Sequence, residues 1–226
     1  MTHLKKLNAP RQWGILRKEK KYVVRPFPSG HKLELSLPIL VVMRDMLHHV
    51  QSARELRHVL RQKGVLVDGK ELKEIRSSIG LFDVLSLPQA KEQYRVMLGS
   101  NGKLQLSSID AKESEMKICK VTGKRKTKGG KTQITLHDGR NFNVDEEVHV
   151  GDAVVLHLKD KKMSIVKLKK GAYVYLTGGK HSGSHGVLQD ISKQNVVFEH
   201  AKNRLETLKK YVTVVGEGKP LLKLNE

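Results

Sequence analysis

Cysteine, aromatic residues and long apolar runs are all scarce in this chain of 226 residues. Its single cysteine, Cys119, excludes an internal disulfide framework and a multi-cysteine zinc site. The apolar neighbours of Cys119 in MKICKV favour an inert core side chain over a reactive thiol. The longest apolar run, LPILVVM at 37–43, is far shorter than the roughly 20 residues that a membrane helix needs. The first residues also lack the apolar stretch of a signal peptide, so we expect a soluble, cytoplasmic protein with no membrane partner.

Few aromatic and acidic residues narrow the choice of partner. Aromatics make up only 4% of the chain and form no cluster on which single-stranded bases could stack. Lys and Arg number 43 against 23 Asp and Glu, which gives a formal charge of +20. Because such an excess repels itself unless a polyanion neutralises it, nucleic acid is the first candidate partner and an anionic membrane surface the second. The composition favours recognition of phosphates and helix shape over reading of bases.

The first segment, 1–37, is basic, broken by prolines and without periodic apolar pattern. We interpret it as an extended arm that orders on a polyanion; the alternative is a solvated tail. Its candidate RNA-binding residues are Lys5, Lys6, Arg11, Arg17, Lys18, Lys20, Lys21 and Arg25.

A helical pair is predicted next, at the start of the segment 38–93. SLPILVVMRDMLHHV has Ser36 as a possible N-cap and Pro38 in its first turn. In SARELRHVLRQKG, Ser52 and Glu55 form a capping box and Gly64 suits the C′ position. A hairpin with its turn at Asp68-Gly69 and a strand in IGLFDVLSL follow. The basic side of the second helix offers as RNA contacts Arg54, Arg57, Arg61 and Lys63.

From 94 onward, short and closely spaced strands predict small β barrels. The segment 94–168 contains the loop TGKRKTKGGK, which is either an electrostatic tip or a solvated hairpin end, and a turn in HDGRN. Candidate RNA contacts in these two features are Lys124, Arg125, Lys126, Lys128, Lys131 and Arg140.

The Gly-rich stretch TGGKHSGSHG, 177–186, fails the templates of a nucleotide pocket. His181 stands where a P-loop needs Ser or Thr and where a dinucleotide fingerprint needs Gly. His181 and His185 flank residues that do not hold a helix, so a metal pair is not favoured. Ser182 and Ser184 lack the elbow and the orienting carboxylate of a catalytic serine. What remains is a turn between two strands, with Lys180, His181 and His185 as phosphate donors; the alternative is that its glycines serve geometry alone.

Three resemblances follow from these motifs. KKGAYVYLTGGKHSGSHGVLQDI, 169–191, resembles a KOW motif, with Gly171, Gly183 and Gly186 as its structural glycines and Gly186-Val187 as its hallmark pair. The stretch 41–87 resembles an S-four RNA-binding module, although Phe82 stands where that module usually has Gly before Asp83. In family order, HLKKLNAPRQW, RPFPSGHKL, LPILVVMRDML, GLFDV, YRVML, ICKV, TLHDGRNF and VGDAVVL are similar to the archaeal and eukaryotic small-subunit ribosomal protein family S-four-e.

The resemblance implies an α+β, multidomain protein. Its expected parts are a basic arm at 1–37, an S-four module at 38–93, a central β domain at 94–168, an SH3-like KOW barrel at 169–216 and a tail at 217–226. It implies binding to small-subunit ribosomal RNA and to neighbouring ribosomal proteins, without obligate homo-oligomerisation. The absence of a long C-terminal extension indicates the archaeal version.

Two other functions stay open from the sequence. An RNA-modifying enzyme such as a pseudouridine synthase would need an active Asp in a Gly-Arg-Leu-Asp context, whereas Asp138 lies in HDGRN. A KOW-bearing transcription elongation factor would need a partner-docking domain, and none is evident. We therefore expect no catalytic residue, no metal and no cofactor, and a structural role in the small ribosomal subunit.

Overall fold

The structure, a computed structural model, describes residues 3–127, 130–160, 162–200 and 203–224. It is mostly β with little helix, and it divides into two compact units. The first unit runs to Met97 and includes Lys103–Ser114; the second comprises Leu98–Gly102 and the chain from Glu115 onward. Within the described ranges, no helix has the length and apolar character needed to cross a membrane.

Among its described residues, the first unit has three antiparallel sheets and two short α-helices, besides short 3-10 turns. The helices are α1 (Ile39–Val41), which continues as a π-helical turn (Val42–Met46), and α2 (Ala53–Arg61). The strands are β1 (His3–Lys5), β2 (Tyr22–Val24), β3 (Ser36–Pro38), β4 (Leu66–Val67), β5 (Lys70–Glu71), β6 (Ser78–Gly80), β7 (Val84–Leu87), β8 (Glu92–Leu98) and β9 (Leu104–Ser108). β1 pairs with β2, β3 pairs with β6, and the third sheet has the order β5-β4-β7-β8-β9.

The N-terminal segment is folded, which corrects the expectation of an extended arm. β1 pairs with β2 in register, with Leu4 opposite Val23. Trp13 is only 1% exposed, and its Nε1 donates to the carbonyl of Leu33 at 3.3 Å. The sequence concealed this small core because its apolar residues are far apart and follow neither a helical nor a strand period.

The helix α2 begins as predicted and ends one residue earlier than predicted. The Glu55 N–H donates to Ser52 Oγ at 3.2 Å, and the Glu55 carboxylate accepts from the Gln51 N–H at 2.8 Å. At its end, the N–H groups of Lys63 and Gly64 donate to the carbonyls of Leu60 and Val59, which is a Schellman motif. Lys63, with φ of 56°, therefore occupies the left-handed C′ position that was assigned to Gly64.

The first predicted helix is much shorter than its apolar pattern suggested. Ser36, expected as its N-cap, lies in β3, and Pro38 is the residue that precedes α1. The predicted hairpin turn at Asp68-Gly69 is present, with positive φ at both residues. Phe82 has φ of 67° and is buried, so its backbone adopts a conformation that favours glycine at the position where the S-four module usually has one. Burial of its ring, worth about 2 kcal/mol, offsets the roughly 1–2 kcal/mol cost of that backbone.

In the described part of the second unit, the strands form two five-stranded antiparallel sheets. The first has the order β12-β11-β10-β13-β14, and its strands are β10 (Met116–Lys126), β11 (Thr132–Leu136), β12 (Asn141–Val144), β13 (Ala153–His157) and β14 (Met163–Val166). Cys119 lies in the core of this sheet with Val121, Ile134 and Leu136, as its apolar neighbours predicted.

The second sheet of this unit is a meander closed by the last strand against the first. Its order is β18-β17-β16-β15-β19, and its strands are β15 (Ala172–Leu176), β16 (His185–Ile191), β17 (Asn195–His200), β18 (Asn203–Leu208) and β19 (Val212–Glu217). Register shifts between Tyr173 and Val174 and between Leu188 and Asp190 mark bulges, which bend and twist a sheet.

Candidate nucleic-acid interface

The folded N-terminal segment gathers several predicted RNA contacts into one depression. Lys5 of β1 and the chain between the paired strands β1 and β2 line a hollow of about 430 Å³. Its lining residues are Lys5, Leu7, Arg17, Lys18, Lys20 and Lys21. All of them except Leu7 are cationic, so the hollow suits an anion such as a phosphate group.

Two of the predicted contacts in this segment have internal tasks. Lys6 is buried, and its Nζ donates to the carbonyl of Leu16 at 3.0 Å and lies 3.5 Å from Glu19. The Arg17 guanidinium donates to backbone carbonyls, the shortest bonds being to Ala9 at 2.8 Å and Pro10 at 2.7 Å. Lys6 is therefore a fold residue rather than a phosphate contact, and Arg17 holds the loop while it lines the hollow.

The helix α2 presents a row of arginines on its solvent side. Arg54, Arg57 and Arg61 are exposed at spacings of three and four residues, so they lie on one face. Leu56 and Leu60 are buried on the other side of the helix. None of the three arginines has a carboxylate partner among the described residues. Such a row of exposed guanidinium groups can donate to backbone phosphates, contacts that position a protein on nucleic acid without reading its sequence.

The remaining predicted contacts of the first unit each have a different environment. They are Lys63, Arg11 and Arg25. Lys63 Nζ lies 3.0 Å from Glu71 Oε1, so part of its charge is already neutralised. Arg11 is exposed outside the hollow of β1 and β2. Arg25 is exposed and lines a different depression, with Phe27 and Arg76.

The hairpin of β10 and β11 carries the second predicted cluster of cations. Lys124, Arg125 and Lys126 are exposed at the end of β10, paired with Ile134, Gln133 and Thr132 of β11. Lys131, at the start of the returning strand, is exposed as well. Lys128 lies outside the described residues. Because the described cations of this tip are exposed and have no carboxylate partner among the described residues, their charge is available to an external anion.

Closer to the base of the same hairpin, charge is neutralised internally. Lys117 Nζ lies 3.0 Å from Asp138 Oδ2, with the two side chains 1% and 2% exposed. Arg140 reaches the same oxygen at 3.3 Å, which gives this predicted RNA contact a structural task. Burial alone would raise the pKa of Asp138, but the charge and hydrogen bond of Lys117 and the Arg140 N–H lower it below its ordinary value.

Lys120 is another cation whose hydrogen bonds are made within the protein. Its Nζ donates to the carbonyl of Lys210 at 2.7 Å and to that of Lys209 at 3.3 Å. Burial and the nearby charge of Lys209 lower the pKa of Lys120 to about 8. A count of basic residues thus overstates the charge that a ligand can reach.

The Gly-rich loop between β15 and β16 is shaped by contacts rather than by open space. Gly183 has φ of 88°, and a Cβ there would lie 2.3 Å from the Gly99 carbonyl oxygen. A Cβ at Gly186 would lie 1.9 Å from the Glu199 carbonyl oxygen, whereas Gly171, with φ of 82°, faces open space. The three glycines predicted as KOW positions therefore have different roles. Gly183 allows both a close backbone approach and a positive φ, Gly186 allows a close approach, and Gly171 allows a positive φ.

The three phosphate donors proposed for this loop differ in their surroundings. Lys180 is exposed and His181 is partly exposed. The His185 ring instead packs on the sheet: its Nδ1 lies 2.7 Å from Tyr173 Oη, and its ring stacks on Tyr173 and meets the edge of His200. No group of three or more His, Cys, Asp or Glu side chains within the described ranges is arranged to hold a metal ion.

Comparisons with known proteins match two segments of the chain to family models and most of the chain to a solved structure. A family model described as ribosomal family S4e matches residues 90–163, and one described as the RS4NT (NUC023) domain matches residues 2–34. A crystal structure of the 30S ribosomal protein S4e from Thermoplasma acidophilum is similar, with a TM-score of 0.71 and 31% identity. The match covers 81% of this chain and 96% of that one.

Full-length archaeal relatives extend the similarity to nearly the whole chain. The small ribosomal subunit protein eS4 of Methanosphaera stadtmanae is 38% identical over 229 residues, which cover 98% of this chain and 95% of the relative. The eS4 protein of Methanothermobacter thermautotrophicus is 36% identical over 230 residues, with the same coverage. Since these relatives are more than 30% identical and their matches cover 98% of this chain, the chain belongs to the ribosomal family S4e.

Proposed function

We propose that this protein is a structural constituent of the small ribosomal subunit in the cytoplasm, where it binds and stabilises small-subunit ribosomal RNA. Membership of the S4e family and the names of its archaeal relatives support the ribosomal role. The role is a structural one and not that of an enzyme. Asp138, which lies outside the Gly-Arg-Leu-Asp context of a pseudouridine synthase, is also buried against Lys117.

One observation supports the mode of binding most strongly: the row of Arg54, Arg57 and Arg61 on α2. The three guanidinium groups are exposed, share a face and lack carboxylate partners among the described residues. When they contact phosphates they release the counterions condensed on the RNA, which supplies free energy without reading sequence. The hollow of β1 and β2 and the tip of β10 and β11 add cations of the same kind.

The finer division of the chain is part of this proposal. We assign the S-four module to 38–93, on the basis of α2, the Asp68-Gly69 hairpin and the glycine-like backbone of Phe82. We assign the central β domain to 94–168 and the SH3-like KOW barrel to 169–216, with the basic segment at 1–37 and a tail at 217–226. Neighbouring ribosomal proteins are the further partners that we propose. We expect neither a membrane partner nor obligate homo-oligomerisation.

Salt dependence of binding tests the mechanism. The purified chain is titrated with small-subunit ribosomal RNA at several salt concentrations, and the logarithm of the association constant is plotted against that of salt. We expect a steep slope, because each neutralised phosphate contributes about 0.7 to 0.9 to it. The variant with Arg54, Arg57 and Arg61 all changed to Gln should lower the slope by about two to three. Affinity that changes little with salt would disprove the electrostatic mechanism.

Co-sedimentation tests the ribosomal role independently. A structural constituent should stay with small subunits through a wash of moderate salt. Release of the protein into the supernatant under that wash would contradict the role.

A further inference from the structure

A second depression in the first unit is unlike the cation clusters, because it combines an aromatic ring with two guanidinium groups. It encloses about 420 Å³ and is formed mainly by the stretch RPFPSGHKL. Its lining residues are Arg25, Pro26, Phe27, Pro28, Ser29, His31, Leu33, Ser36 and Arg76. None of these residues carries a carboxylate, so the hollow is apolar and cationic in character.

The walls of this hollow are held in place by backbone bonds. The Phe27 N–H donates to the Arg76 carbonyl at 2.9 Å, and Arg76 Nε donates to the Arg25 carbonyl at 3.0 Å. The Arg76 guanidinium carbon lies 4.4 Å from the centre of the Phe27 ring, a cation–π contact. Phe27 is nonetheless 41% exposed. The guanidinium thus lies over one face of the ring, and the two planar groups form a preorganised stacked pair that is partly open to solvent.

The side of the hollow at His31 is also fixed. His31 Nε2 lies 3.1 Å from Asp83 Oδ1, and the other oxygen of Asp83 accepts from the Gly80 N–H at 2.7 Å. The His31 ring lies so close to Gly80 that a Cβ there would come within 2.2 Å of it. Because this packing admits only glycine at position 80, His31 has a defined place in the wall.

We propose that this hollow holds one unpaired nucleotide of the bound RNA, with its base against the Phe27 and Arg76 surface and its phosphate beside Arg25. The inference rests on the RNA-binding function proposed above and adds to it a stacking contact with a base, which does not depend on which base it is. Unstacked bases pack on aromatic rings and on the planes of guanidinium groups, and a phosphate accepts hydrogen bonds from an arginine fork. The volume is within the range of pockets that enclose small ligands. An acidic peptide would use the charges but would have no need of the planar surface.

A short RNA that differs only in its middle base tests this proposal. The full chain is titrated by calorimetry with a three-residue RNA carrying adenine in the middle, and with the same RNA carrying an abasic sugar there. Both have the same phosphates, so electrostatic binding is equal. We expect the RNA with adenine to bind at least about fivefold more tightly, the lower end for a stacked base.

Variants assign the difference to the hollow. Phe27→Leu keeps an apolar side chain without the ring, and Arg76→Lys keeps the charge without the plane; each should abolish the preference for adenine. Arg57→Gln, the control on α2 outside the hollow, should leave the preference for adenine intact. Circular dichroism melting of each variant measures whether the fold is retained. We expect it to be, because Phe27 is exposed and Arg76 is partly exposed.

The outcomes separate this inference from the function beneath it. Equal binding of the two short RNAs by the unaltered chain, together with steep salt-dependent binding of ribosomal RNA, overturns the nucleotide hollow and leaves the proposed function standing. Loss of a neighbouring protein from small subunits assembled with Phe27→Leu, without any base preference, indicates a peptide occupant and overturns it as well. Failure to bind either short RNA or ribosomal RNA overturns both.

Discussion

The hairpin of β10 and β11 and the hairpin of β15 and β16 have loops of similar composition and different physical character. Both loops contain several glycines and at least one lysine, and the sequence predicts a phosphate-binding tip at each. At the first, Lys124, Arg125 and Lys126 are exposed on a strand that continues beyond the buried part of its sheet. At the second, Gly183 and Gly186 lie against backbone carbonyl groups of neighbouring segments, and Lys180 is exposed.

The difference teaches that a glycine-lysine loop has no fixed meaning apart from what surrounds it. In the first hairpin, backbone pairing holds cations away from the core, and their charge faces outward. In the second, absence of side chains lets backbone segments approach closely, and that packing shapes the sheet. The first loop is therefore suited to an external polyanion and the second mainly to the fold.

The largest expected effect is at the base of the first hairpin. Lys117→Met should destabilise the protein by about 3–5 kcal/mol, because it leaves the Asp138 carboxylate buried without its closest cation. Urea unfolding measures the loss. Lys124→Met, a matched change of an exposed lysine in the same strand, should leave the free energy of unfolding nearly unchanged. Equal losses in the two variants would remove the distinction between base and tip.

Acid probes the same buried pair. The pKa of Asp138 is lower in the folded protein than in the unfolded chain, so its contribution is complete above the unfolded pKa and disappears as the pH falls through the folded one. The free energy of unfolding should therefore decline below about pH 4, and it should decline less steeply in Asp138→Asn. A decline of the same slope in both proteins would contradict the assignment.

At the second hairpin, a single methyl side chain at Gly183 should be enough to destabilise the protein. Gly183→Ala should lower the free energy of unfolding by about 3 kcal/mol, since it combines a left-handed backbone with a Cβ that meets the Gly99 carbonyl oxygen. Thermal and urea unfolding measure it. The control is Gly171→Ala, where φ is also positive but space is open; its cost should be about 1 kcal/mol.

The tip of the first hairpin should affect binding and not stability. Changing Lys124, Arg125 and Lys126 together to Gln should lower the salt slope for ribosomal RNA binding by about two to three. The urea midpoint should stay where it is, because these side chains are exposed. An unchanged slope would mean that the tip is only a solvated hairpin end.

The smallest effect is expected at Lys180. Lys180→Gln should lower the salt slope by about one if the exposed ammonium contacts a phosphate, and it should leave the melting temperature unchanged. Titration of ribosomal RNA at several salt concentrations measures it. A loss as large as that of the triple variant at the first tip would reverse the ranking of the two loops.

Prediction from sequence succeeded where a local pattern is sufficient. Ser52 and Glu55 specify the start of α2 because both partners of the capping box lie within one turn. The exposure of Arg54, Arg57 and Arg61 follows from helical periodicity once Leu56 and Leu60 face the core. Patterns that need a distant partner were missed: nothing near Lys6 in the sequence indicates that its ammonium turns inward to Leu16.

The amino-acid sequence by itself determined the excess of positive charge, the β-rich character, the basic face of α2 and the similarity to the S4e family. Only the tertiary structure decided which cations remain available, which glycines are compulsory, and that Phe27 and Arg76 meet in one hollow. The physical reason is how far apart along the chain the interacting residues lie. Charge and periodicity are sums over nearby residues, whereas burial, carbonyl approach and ring stacking depend on segments that are distant along the chain and adjacent in space.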